Sequence, residues 1–149
     1  MIKLNLTLPQ SVKDRALQFQ EFRNQCKAYL TKNGINYDKF TIVSHDSYIG
    51  HISEWVLFQY IQKEFGGVLK KLTSWEDNFD LKKIENIISS SSSTKEDLTY
   101  VKEYFYDDWD IAVETSKGTY KCDIKTALTK LEPQNNWNFL YPIVQAQKP

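Results

Sequence analysis

The sequence predicts an α/β fold: a small mixed β-sheet flanked by helices, with one long helix in the N-terminal part. Two observations carry this. Apolar residues recur at helical spacing through the first two thirds of the chain, and in the last third the period drops to two. The 149 residues are 41% apolar and 14% aromatic, which is enough side-chain volume for a core and excludes global disorder. A single domain is expected, with residues 1–45 forming a helical segment packed on a core of residues 46–149.

Residues 1–8 alternate loosely up to Pro9, as a short edge strand or an ordered tail would. Ser11 with Asp14 reads as a helix N-cap and acidic first turn. Val12, Ala16, Phe19, Phe22, Cys26, Tyr29 and Leu30 then mark one stripe of a helix over residues 12–32, which Gly34 stops. The stripe covers the core or, alternatively, pairs two copies of the chain. Residues 40–43 form a short strand or buried linker. Ser44, Asp46 and Ser47 offer caps for a second helix over residues 49–65, closed by Gly66-Gly67. Ile52, Trp55, Val56, Phe58, Tyr60, Ile61 and Phe65 make that helix apolar on three sides, which predicts burial on more than one face. Val68-Leu69 is strand-like and a loop surrounds Trp75. Asp80 caps a short helix over residues 81–88, the serine run at 89–93 is a surface loop, and Thr94 with Asp97 caps a helix over residues 95–105.

Residues 109–115 and 119–126 alternate apolar and polar about Ser116-Lys117-Gly118, which predicts a β-hairpin. A last strand, residues 139–144, carries Pro142 and so belongs at a sheet edge.

Several function classes fall away. Nineteen basic and nineteen acidic side chains cancel, which argues against coating nucleic acid through bulk positive charge but not against a nuclease with clustered carboxylates. No apolar run approaches the length of a membrane span, and no signal peptide precedes the first helix. Cys26 and Cys122 form no framework, so a reducing cytoplasm is the expected location. No phosphate-binding loop, dinucleotide fingerprint, zinc-protease motif or serine-hydrolase elbow occurs. His45 and His51 lack metal-ligand spacing and read as structural.

The hairpin carries the chemistry. Trp109, Ile111, Val113, Tyr120, Cys122 and Ile124 fall on one face; Asp110, Ala112, Asp123 and Lys125 fall on the other. With Lys117-Gly118 as the turn, Asp110 pairs with Lys125 and Ala112 with Asp123. Two carboxylates and an ammonium then crowd together, and like charges so close repel unless a divalent cation neutralises them. Lys121 shares that face and can meet a phosphate.

The run from Asp110 through Asp123-Ile124-Lys125 resembles the signature of the PD-(D/E)XK nuclease superfamily, the restriction-endonuclease-like fold. In that family an Asp opens one strand and an acidic-x-Lys lies on the next. Trp109 stands where the family places proline, and Asp108, of the same parity, is the alternative first ligand. The resemblance implies a Mg²⁺-dependent endodeoxyribonuclease (Mn²⁺ substituting) that hydrolyses double-stranded DNA, as a homodimer or with a second subunit. It implies that Asp110, Asp123 and the Ile124 carbonyl hold the metal and that Lys125 positions the attacking water. Glu54, on the inward stripe of the second helix, matches the carboxylate that the family often adds from a preceding helix. The alternatives are a non-catalytic nuclease-like subunit that binds DNA or protein, and a repair or junction-resolving nuclease on the same scaffold.

Overall fold

The structure, a computed structural model, describes residues 7–35 and 47–126. The strands expected at 40–43 and 139–144 lie outside them, as does most of the segment at 1–8. Helix α1, Gln10–Lys32, buries Val12, Ala16, Cys26, Tyr29 and Leu30 from the expected stripe. It ends where Gly34 turns at φ +83° and the Gly34 and Ile35 amides donate to the carbonyls of Thr31 and Leu30. Its start differs from expectation. Pro9 precedes the first turn without a side-chain cap, and Asp14 accepts instead from the Gln10 amide at 2.9 Å.

Helix α2, Ser47–Phe65, stops at Gly66. Its described side chains are half-buried or exposed, not enclosed as the sequence predicts, and Phe65 is among the exposed apolar residues. The physical reason is geometric: α2 packs on α1 and on the sheet, and apolar residues spread around three sides cannot all meet those neighbours. Strand β1, Leu69–Ser74, leads into a 3₁₀ turn, Trp75–Asn78. Helix α3, Leu81–Ser89, is capped as expected, with Asp80 accepting from the Lys83 amide at 3.2 Å. Helix α4, Lys95–Phe105, carries the expected reciprocal cap between Thr94 and Asp97, at 3.1 and 3.2 Å.

The core is helical. Cys26, Tyr29 and Leu30 of α1, Ile84 and Ile87 of α3, and Val101, Tyr104 and Phe105 of α4 form one buried cluster. Aromatic rings extend it towards the sheet: Phe79 meets Tyr104 at 5.5 Å and Trp75 at 5.4 Å, and Trp75 meets Trp109 edge-on at 5.1 Å.

Strands β2, Ile111–Thr115, and β3, Gly118–Cys122, complete a sheet of order β1-β2-β3. Every pairing among the described residues is antiparallel, so these residues form an α/β fold with a small antiparallel sheet, and the other strands of the expected mixed sheet lie outside them. The hairpin register also corrects the expectation. Thr115 faces Gly118, Ala112 faces Lys121 and Ile111 faces Cys122. The turn is therefore Ser116-Lys117, held by the Lys117 amide donating to Thr115 Oγ1 at 3.1 Å and followed by Gly118 at φ +141°. Ala112 does not face Asp123, nor Asp110 Lys125. The slip is of an even number of residues, so side chains keep their faces. Among the described residues no helix is long and apolar enough to cross a membrane.

Candidate active site

Asp110 precedes β2, and its backbone continues the ladder on both sides. Its carbonyl accepts from the Trp75 amide at 3.1 Å, and its amide donates to the Cys122 carbonyl at 2.9 Å. This fixes the residue at the end of the hairpin opposite the turn, where Asp123, Ile124 and Lys125 leave β3. The structure brings Asp110 and Asp123 together. The Asp110 carboxyl is raised to about 6: burial is the main cause, the negative charges of Asp107 and Asp123 act with it, and the Ile124 amide, which donates to Oδ2, opposes them. The resemblance assigns the Ile124 carbonyl to a metal, whereas in the structure it is the Ile124 N–H that engages Asp110.

Lys125 Nζ reaches Asp123 Oδ1 at 2.5 Å, and the two side chains are 45% and 49% exposed. The ion pair is open to a large ligand. Asp108 is exposed, whereas Asp107 turns towards the site, so Asp110 and not Asp108 is the acid beside Asp123.

Glu54 does not join that pair directly. It lines, with Asp110, a cavity of about 250 Å³ between α1, α2 and the end of the sheet. The Glu54 carboxyl is raised to about 8, first by burial and then by the charges of Asp110, Glu76 and Asp107, against the pull of Arg23. Sequence reasoning missed three other groups here. His51 Nδ1 lies 3.9 Å from Glu54 Oε2 and 4.0 Å from Glu76 Oε1. Burial, helped by the Arg15 charge, holds this imidazole down at about 4, so these contacts are not ion pairs at neutral pH. Burial also raises Glu76, against the opposing charge of Arg23. Arg23 donates to the Phe105 carbonyl at 3.0 Å, approaches Asp107 at 3.9 Å and lies over the Phe105 ring at 4.7 Å, pinning the segment that leads to Asp110. For His51 a signal existed: it stands one turn before Glu54 on the same helical face. Glu76 and Arg23 had none, because only the fold joins them to the cavity.

Magnesium is commonly held by one or two carboxylates, with water completing its shell. Asp110 and Asp123 are hard oxygen donors whose mutual repulsion a cation would relieve, so the pair fits that mode of binding. No group of three His, Cys, Asp or Glu side chains among the described residues is arranged to hold a metal, which leaves Glu54 outside a direct three-ligand set. Comparison with family models, curated proteins and solved structures finds no match for this chain.

Proposed function

We propose that the chain is a divalent-cation-dependent endonuclease of restriction-enzyme type, acting on double-stranded DNA. One observation carries the reading: at the open end of an antiparallel hairpin Asp123 stands against Asp110 and pairs with Lys125. Glu54 on α2, a helix that precedes β1 and, beyond α3 and α4, the hairpin β2-β3, supports it because the resemblance calls for a carboxylate from a helix ahead of the hairpin. A bound Mg²⁺ or Mn²⁺ would supply Lewis-acid stabilisation to the phosphate oxygens. Lys125 orients the attacking water and offsets the charge that builds on the phosphate. Asp110 and Asp123 hold the cation, and the Ile124 amide keeps the Asp110 carboxylate aimed at Asp123. Lys121, opposite Ala112 on the site's face, meets the approaching backbone. Glu54, raised to about 8 and so largely neutral at neutral pH, lines the adjoining cavity with Asp110.

The test is nicking of supercoiled plasmid with Mg²⁺ or Mn²⁺ and an EDTA control, alongside melting curves. The cation should raise the melting temperature of the wild-type chain by mass action. Asp110→Ala and Asp123→Ala should remove both that rise and the cutting, and Lys125→Ala should keep the rise but lose the cutting. A wild-type chain that neither responds to the cation nor cuts DNA would be the non-catalytic module. Cutting that requires a second polypeptide would point to a split enzyme.

A further inference from the structure

The cavity beside Asp110 holds more than the hydrolytic reading uses. Its walls include the rings of Phe19, Trp55 and Trp75, and its 250 Å³ exceeds the roughly 150 Å³ that suffices for benzene in an apolar cavity. It therefore admits a one- or two-ring heterocycle. Two buried polar atoms of its lining, His51 Nδ1 and Glu76 Oε1, have no hydrogen-bond partner among the described residues. They lie 4.0 Å apart. The His51 ring is stacked on Phe19 at 4.2 Å, which holds the plane of the imidazole. An unprotonated Nδ1 and a carboxyl oxygen both accept, and buried acceptors left empty are costly. Both are satisfied by a group that donates one hydrogen to each, as water does and as the amino group of a ligand would. An anion cannot do this, and a carbonyl would set acceptor against acceptor.

We propose that this cavity receives a single unpaired nucleobase bearing an exocyclic amino group, turned out of the strand beside the phosphate that Asp110 faces. The inference rests on the nuclease reading for its class of ligand. Aromatic walls stack on either ring size, which offsets the loss of stacking in the duplex. The amino group of adenine, cytosine or guanine bridges His51 Nδ1 and Glu76 Oε1. Thymine presents carbonyl oxygens in that place and is refused.

The experiment measures binding of free nucleosides to the full chain in EDTA, where no cleavage occurs, by quenching of tryptophan fluorescence from Trp55 and Trp75. The probes are deoxyadenosine, deoxycytidine, thymidine and deoxynebularine, the last being deoxyadenosine without its amino group. Deoxyadenosine should bind about tenfold more tightly than deoxynebularine, and deoxycytidine about tenfold more tightly than thymidine. His51→Phe keeps the ring on Phe19 and removes the acceptor, so both ratios should fall to about one. Glu76→Leu removes the other acceptor and should lower both ratios, which covers the case in which His51→Phe fails to fold. Equal affinity of the wild-type chain for deoxyadenosine and deoxynebularine, or no quenching by any probe, would overturn the inference. A chain that cuts DNA but binds no nucleoside keeps the nuclease reading and loses this one. A chain that binds with the amino preference yet leaves every DNA intact keeps the base cavity and loses the nuclease reading.

Discussion

The α1-α3-α4 cluster and the cavity beside it share α1 and Tyr104, yet they are built on opposite rules. The cluster is apolar, with no buried charge and with the Tyr29 hydroxyl as its unpaired polar atom among the described residues. Its helices α3 and α4 start on side-chain caps. The cavity, by contrast, holds Glu54, Glu76, Asp107 and Asp110 against Arg15 and Arg23, with the carboxyls of Glu54, Glu76 and Asp110 displaced towards their neutral forms. Such a concentration of displaced carboxyls and orphaned acceptors costs stability, and it persists because the neighbouring cluster over-determines the fold.

The comparison breaks most visibly at the cluster. Phe105→Ala should cost about 3–5 kcal/mol, because Phe105 is 1% exposed and its loss leaves a cavity that the helices cannot close. Urea unfolding measures this, and a loss below about 1 kcal/mol would mean that the cluster is not the core.

Next comes a pH effect from the cavity. The folded value of Glu54, about 8, lies above its ordinary 4.5, so its contribution is full below 4.5 and is lost as the pH rises through 8. Asp110 acts in the same sense up to about 6. His51 acts in the opposite sense between about 4 and 6.5, where the unfolded chain takes up its proton first. The clean window is therefore above 6.5. In EDTA, unfolding free energy should fall by about 1–2 kcal/mol between pH 6.5 and roughly 8.5, and Glu54→Gln should flatten that slope. A wild-type chain whose stability is flat or rises over this window would contradict the picture of a strained cavity.

Glu76→Leu removes a buried, unpaired acceptor and should raise stability by about 1 kcal/mol, read as a melting temperature a few degrees higher. A lower melting temperature would show that Glu76 is held by something it needs. The smallest stability effect belongs to Lys125→Ala. Its ion pair with Asp123 is nearly half exposed, so unfolding should shift by less than about 0.5 kcal/mol while DNA cutting disappears. A large destabilisation would make Lys125 a structural residue.

The same division runs through what could be read in advance. Local signals sufficed for the helices: the stripe ending at Leu30, the glycine stop at Gly34, the Asp80 cap and the Thr94–Asp97 cap each depend on residues within a turn or two of one another. That Asp110 and Asp123 stand together was also legible, since both ends of a hairpin share its sides whatever the register, although Asp110 precedes β2 and Asp123 and Lys125 follow β3. That is why the two-residue slip at Ser116-Lys117 moved the pairing without moving any side chain to the other face.

Only the tertiary structure decided the rest. Arg23 reaches Phe105 and Asp107 across most of the chain, His51 of α2 meets Glu76 of a 3₁₀ turn, and the Trp75 amide fixes Asp110 beside a different strand. Propensity, period and capping act over a few residues, so they determine which segments are helix or strand and which way their side chains point. Burial and charge displacement arise from neighbours distant in sequence, so the cavity, its orphaned acceptors and the shifted carboxyls exist only once α1, α2 and the sheet have closed around them.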